Sequence, residues 1–286
     1  MTTICYLPIN LQKNNDFRAI LSFKRFLQQS IYVRLTEIAQ RDSGLQELLR
    51  FLSAPEIPLT PILEAEQYIF RSAITFKLAN HSSLPVDSLA AHLWTNLAQK
   101  NEQDDNQADL VMRIQIIDHN WLIFNCDYLS LQVWLAYLSQ QFLQRSQLVP
   151  RQGITASPPA AYCQYAHARA CSLLRLLDQS VFCSFSPVPS SSSKPLILPP
   201  STRSLLEHLL RVTDYLTAEK TENWSKIAVN LSEAFLSFDK NFNLANHQVD
   251  TNAGLGDFKR LLILNTRFIL QELLMTQLNL AAPEEL

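Results

Sequence analysis

Apolar residues recur near the helical period through residues 16–51, where Phe17, Ile20, Leu21, Leu27, Ile31, Leu35 and Ile38 predict one long helix. Pro55, Pro58 and Pro61 break it. A second helical pattern runs over residues 63–79. Pro85 and Val86 open a third that carries Leu89, Leu93, Trp94 and Leu97, with Asp87 as its expected N-cap. The polar run 100–109 reads as a loop. Residues 110–117 and 121–126 are rich in β-branched and aromatic side chains, and Asp118, His119 and Asn120 between them suit a hairpin turn. An apolar helix over residues 129–142 follows, its end marked by Pro150 and Gly153.

The second half carries helical patterns over residues 160–177, 204–216, 224–238 and 258–278, and no strand pattern. Between the first two of these lies the segment 184–202, whose five prolines and serine run predict an exposed loop, disordered around Ser190 to Ser193. Asn279 tolerates the left-handed conformation of a residue just past a helix, and Pro283 forbids continuation. The fold class expected is therefore α+β. An N-terminal α+β domain, helices on a small antiparallel sheet, spans residues 1–149, and an all-α helix bundle spans residues 150–286.

Composition narrows the chemistry. Four glycines occur in 286 residues (Gly44, Gly153, Gly254 and Gly256), so no glycine-rich phosphate-cradling loop can be written. Net charge is -2, and the lysines and arginines split 12 and 12 about Pro150, so neither half carries a strong basic field. The five cysteines (Cys5, Cys126, Cys163, Cys171 and Cys183) form no CxxC pair and sit in apolar segments, which predicts free, buried thiols and no metal centre. The run from Asn101 to Asp109 lacks the glycine of a calcium loop. No stretch reaches the length of a membrane span, and no basic and apolar leader opens the chain, so a soluble cytoplasmic protein without a cofactor is expected.

Residues 162–175, YCQYAHARACSLLR, are distinctive. Gln164, Tyr165, Ala166, His167, Ala168, Arg169, Ser172 and Arg175 match the pattern QYAHARxxSxxR that opens the DALR anticodon-binding domain of arginyl-tRNA synthetases, which the chain resembles. Residues 231–238, LSEAFLSF, are similar to that domain's LAxAFxxF helix, and residues 260–286, ending LNLAAPEEL, to its last helix and terminal APExM. Upstream, residues 71–79 (RSAITFKLA), 85–98 and 118–124 (DHNWLIF) resemble the N-terminal additional domain of the same synthetases. About a dozen residues join the halves where a synthetase inserts its catalytic domain, and neither the HIGH nor the KMSKS signature is present. Several positions depart from the family: Asp239 stands where the family has Tyr, Ile227 and Ala228 where it has Tyr-Leu, Leu286 where it closes on Met, Ala73 where it has Asn, and Asp118 and Asn120 where it has the glycines of GPGF.

The resemblance implies a non-catalytic synthetase-like protein that binds a tRNA, arginine tRNA being the family's own. On a helix Tyr165, Arg169 and Ser172 share one stripe, and Ala166, Ala170, Leu173 and Leu177 form the apolar stripe beside it. Tyr165 and Arg169 would meet unpaired bases, with Gln164, His167, Ser172 and Arg175 around them; pairing of Arg169 within the bundle is the structural alternative. Arg260, Arg267 and Gln271 fall on one face of the last helix, suited to phosphate contacts and equally to plain solvation. His167 has no nucleophile or carboxylate at a recognised spacing, so a packed, hydrogen-bonded histidine is expected and no catalytic residue is assigned. The competing expectation is a protein-interaction module on the same fold with RNA binding lost, in which Trp94, Trp121 and Trp134 either fill the core or anchor a protein partner. A third is completion of a separate catalytic chain.

Overall fold

A computed structural model describes residues 2–8, 21–64, 67–98, 109–126, 128–145, 157–178, 198–218, 223–242 and 253–285. These residues form two compact units that part within one helix, after Val133. The boundary expected at 149/150 lies outside the described residues, as do the loop centre at Ser190 to Ser193 and most of the run 100–109.

The first unit is built on a five-stranded sheet in the order β1-β4-β5-β3-β2. Its strands are β1 (Thr2–Pro8), β2 (Leu59–Glu64), β3 (Gln67–Ser72), β4 (Asp109–Ile117) and β5 (Trp121–Cys126), and every neighbouring pair is antiparallel. The hairpin expected between β4 and β5 is present. Its turn, Asp118–Asn120, is a short 3-10 helix, and Asn120 sits at φ 71, a left-handed conformation that asparagine tolerates better than most residues. Thr75 Oγ1 donates to the Asn120 carbonyl at 2.7 Å, which ties the turn to the helix after β3.

Three sequence expectations are corrected in this unit. The single helix over 16–51 is two, α1 (Phe23–Ala39) and α2 (Ser43–Leu49), because Asp42 leaves the helical conformation and its carboxylate caps α2 at the amides of Gly44 and Leu45. The helix over 63–79 is the β2–β3 hairpin followed by the short α3 (Ile74–Ala79). There the run Tyr68-Ile69-Phe70 pairs with Cys126, Asn125 and Phe124 of β5, and that pairing overrides an apparent helical period. Pro61 is accommodated because β2 is an edge strand, where a missing amide leaves no ladder bond broken. Asp87 is not the N-cap of α4 (Val86–Ala98) but lies in its first turn, where its carboxylate accepts from the Asn120 amide. Edge strand β1 has no counterpart in the expected elements.

Helices α1 and α4 lie against β1, and α4 also against β4. Leu27, Ile31 and Leu35 of α1, Leu89, Ala90 and Leu93 of α4, and Ile114, Leu122 and Phe124 of the sheet are buried together in the core.

The second unit holds most of α5 (Tyr128–Arg145) and four further helices, α6 (Pro158–Asp178), α7 (Pro200–Thr217), α8 (Trp224–Asn241) and α9 (Ala253–Glu272). All lie where the apolar periods put them, with boundaries shifted by up to five residues: α8 runs three residues past 238, α9 opens five residues before 258, and α7 opens four before 204. Pro200 opens α7 rather than ending the loop 184–202, since a proline in the first helical turn loses no hydrogen bond and has the required φ. Helix α9 widens into a single π turn, Leu273–Gln277, and then stops at Asn279, whose φ of 53 is the expected left-handed stop. The Leu280 amide reaches back to the Leu274 carbonyl at 2.7 Å and closes it.

Trp134 is fully buried, which makes it core and not an anchor for a partner. Phe142 stacks on Phe268 at 5.2 Å, and Asn265 donates to the Leu135 carbonyl at 2.9 Å, so α5 and α9 meet at these two points. Phe235, Phe238, Phe258, Leu262 and Ile269 complete a dry centre. The described cysteines with placed side chains, Cys126, Cys163 and Cys171, are buried and in no disulfide.

Candidate functional site

Helix α6 presents the two expected stripes. Ala166, Ala170, Leu173 and Leu177 are buried against the bundle, while Tyr165 is 50% exposed. Tyr162, one turn before it, is 37% exposed, so two tyrosines stand out of the same helix. Burial, together with Glu233, pushes the Tyr162 hydroxyl above the ordinary phenol range.

One turn after Tyr165, Arg169 is held side-on by Asp239 of α8. Its Nε donates to Oδ2 at 2.8 Å and its Nη2 donates to Oδ1 at 3.1 Å. The pair is half open: 37% of the Arg169 side chain is exposed and 14% of Asp239. The Asp239 hydrogen bonds raise the guanidinium still further above its already high range, so its charge is fixed. Asp239 is the position at which the sequence resemblance expects a Tyr. Sequence reading treats it as a lost aromatic, whereas in the folded chain it supplies the carboxylate that orients Arg169. The signal available was a carboxylate immediately after Phe238, one residue past the predicted helix 224–238, which the structure extends to Asn241.

The other site residues of α6 meet the chain's own last residues. Gln164 donates to the Ala281 carbonyl at 2.9 Å, and Arg175 donates to the Glu285 carboxylate at 2.9 Å and the Glu284 carbonyl at 3.1 Å. His167 is buried, with Nδ1 2.7 Å from the Pro283 carbonyl. Because a carbonyl only accepts, Nδ1 carries the proton and donates. Burial holds this imidazole below its usual range, so it is a neutral, packed histidine, as the sequence predicts. Cys171 lies 3.9 Å away, and burial pushes its thiol up, which leaves it no nucleophile. Ser172 is half-buried on the same stripe.

On α9 the expected solvated face is not what forms. Arg267 is three-quarters buried over the ring of Phe268, 5.2 Å from its centroid, and donates from Nη2 to Glu284 at 3.1 Å. Gln271 is half-buried against Met275. Apolar cover from Phe268 and the returning C-terminal residues explains the difference, because a long cationic stem buries its methylenes wherever a carboxylate can reach its head. Arg260 is half-buried on the same helix.

The eight sequence-selected residues therefore divide. Gln164, His167, Arg175 and Arg267 converge on residues 281–285; Tyr165 is half exposed and Arg169, one turn on, is bound to Asp239; Ser172 and Arg260 are half-buried. Glu284 and Glu285 are the partners that sequence reading missed, although both stand in the terminal motif it singled out. Among the described residues no group of three or more His, Cys, Asp or Glu is placed to hold a metal, and no helix is long and apolar enough to cross a membrane. No family model, curated protein or solved structure matches the chain.

Proposed function

We propose that this chain is a non-catalytic, arginyl-tRNA synthetase-like protein that binds tRNA through the open face of α6. The observation that carries the reading is the half-exposed Tyr165 one turn from a guanidinium fixed by Asp239, an arrangement that offers a flat aromatic surface and oriented donors to an unpaired base. A supporting observation is that the two segments most similar to the DALR domain, residues 162–175 and the terminal APEEL, meet through Gln164, His167 and Arg175. Two distant sequence motifs that join as one hydrogen-bonded layer favour a shared origin over coincidence. With neither synthetase signature in the sequence, the reading assigns no aminoacylation to this chain alone.

The test is fluorescence anisotropy of the full chain with arginine tRNA, a non-cognate tRNA, and arginine tRNA with an altered anticodon. Binding tighter than the ~10⁻⁴–10⁻⁶ M range of non-specific association, weakened by the anticodon change, is the expected result. Equal weak binding of all three overturns the reading.

A second reading, a protein-interaction module on the same fold, is favoured by one observation: Arg169, Arg175 and Arg267 are all ion-paired within the chain, which mutes any pull on phosphate. A stoichiometric protein partner retained at high salt, with no tRNA bound, is its expected outcome.

A further inference from the structure

Phe23 of α1 meets Phe70 of β3 at 5.8 Å, so α1 covers the sheet face that Phe70 shares with its strand partner Phe124. Successive residues of a strand alternate between faces, and directly opposed residues of antiparallel strands share one. Arg71 and its partner Ile123 therefore lie on the other face. Trp121 stands diagonal to Arg71 on one side, and Asn125, opposite Arg113 of β4, stands diagonal to it on the other. The Arg71 guanidinium carbon lies 4.4 Å over the Trp121 ring, and its Nε is buried with no acceptor. The Asn125 Oδ1 is buried with no donor. Neither arginine nor the Asn125 side chain has a hydrogen-bond or ion-pair partner among the described residues.

Stacking on an indole fixes the plane of a guanidinium but accepts none of its N–H groups. A half-buried cation without a counter-ion has lost solvation and gained no acceptor in return, so what the arrangement lacks is an anion. We infer that this face of the sheet docks an acidic segment of a protein partner, one of whose carboxylates meets Arg71 and another Arg113. The face belongs to the first unit, so the inference goes beyond the α6 reading and stands or falls apart from it.

The chemistry around Arg71 favours protein over nucleic acid. A carboxylate offers two coplanar oxygens, which match the edge of a guanidinium whose plane Trp121 has set. Trp121 also packs on Phe76 at 5.4 Å, and Ile117, its strand partner, is 38% exposed, so the cations are bordered by apolar surface that a partner would cover. Tryptophan and arginine ringed by water-excluding contacts are what dominates protein interfaces. A polynucleotide draws its affinity from many neutralised phosphates, and two arginines beside an exposed isoleucine supply no such track.

The test uses the full chain and three fluorescein-labelled probes: a peptide rich in glutamate and leucine, its counterpart with glutamine for every glutamate, and a single-stranded oligouridylate. The glutamate peptide is expected to bind, the glutamine peptide to bind far more weakly, and the oligouridylate not to compete. Arg71→Gln should weaken the glutamate peptide roughly fivefold or more, the scale of an interface hot spot. Arg71→Lys, which keeps the charge and loses the planar fork, should recover only part of that loss. Arg113→Gln, at an exposed position, should weaken it as well, and Tyr165→Ala on α6 should not. Equal binding of the two peptides, no binding of either, or glutamate-peptide binding indifferent to both arginines overturns the inference, whatever the outcome with tRNA. Oligouridylate binding that Arg71→Gln abolishes makes this a nucleic-acid face and overturns it too. Should Arg71→Gln not fold, as judged by its thermal melt, Arg113→Gln and the peptide pair decide.

Discussion

His167 and Pro283 are 116 residues apart in sequence and joined by a 2.7 Å hydrogen bond from imidazole Nδ1 to the carbonyl. The ring is buried, and burial depresses its pKa below the ordinary value of 6.5. In the unfolded chain the same histidine titrates near that ordinary value, so below it the unfolded state binds more protons than the folded state. The contribution to stability is therefore whole above about pH 6.5 and is lost progressively as the pH falls beneath that value. Acidification from about pH 7.5 to about pH 5.5 should lower Tm by a few degrees. His167→Asn keeps an N–H for Pro283 and cannot titrate, so its Tm should fall less over the same interval. Parallel thermal melts measure the difference, and identical pH profiles would falsify the assignment.

Asn265 is fully buried in α9, and its Nδ2 donates to the carbonyls of Leu135 and Leu261 at 2.9 and 2.8 Å. Its Oδ1 is buried with no partner among the described residues. An unsatisfied acceptor already weighs against this side chain, so an apolar replacement of similar size removes as much penalty as benefit. Asn265→Leu should change the unfolding free energy by less than about 1 kcal/mol. Asn265→Asp turns a donor toward two carbonyls into a second acceptor, or a buried charge, and should destabilise by about 3 kcal/mol or more. Urea denaturation of both variants checks the contrast.

These two positions bear on what a single sequence discloses. The helices of the second unit were legible because each buries one face at a regular period, and local order alone reports it. The β2–β3 hairpin was not, since Tyr68, Ile69 and Phe70 are placed by pairing with β5, more than fifty residues onward, and their spacing also fits a helix. The same division holds within the site. Tyr165 and Arg169 could be selected from their spacing on α6, but Asp239, Glu284 and Glu285 enter only through tertiary contacts with arginines 70, 17 and 110 residues away. A charged residue carries no periodic signature of its partner, so the ion pairs that decide what these arginines are free to do stayed hidden.

Asn120 supplies the left-handed turn between β4 and β5, at φ 71. Glycine adopts this conformation without a Cβ penalty, so Asn120→Gly should hold stability within about 1 kcal/mol despite losing its contact with Asp87. A β-branched residue is disfavoured at positive φ, and Asn120→Val should destabilise by about 1–2 kcal/mol. Chemical denaturation followed by tryptophan fluorescence, with Trp121 adjacent to the turn, reports both. Equal loss in the two variants would show that the side-chain contact, not the backbone, is what matters there.

Glu284 and Glu285 occupy Arg267 and Arg175 with carboxylates at 3.1 and 2.9 Å. Both glutamates are largely exposed, so the pairs contribute less than about 1 kcal/mol each to folding. Their larger effect is on charge: while paired, neither arginine is fully available to phosphate. In the double variant Glu284→Gln, Glu285→Gln the backbone carbonyl of Glu284 still holds Arg175 in place, but the two negative charges are gone. Its affinity for arginine tRNA should rise several-fold at low salt. The slope of log affinity against log salt should steepen by roughly 0.7 for each arginine that gains a phosphate of a single strand. Titrations at a series of salt concentrations measure the slope directly. If the slope stays that of the unaltered chain, Arg175 and Arg267 face no phosphate in the complex, and the base contacts at Tyr165 and Arg169 carry the interaction by themselves.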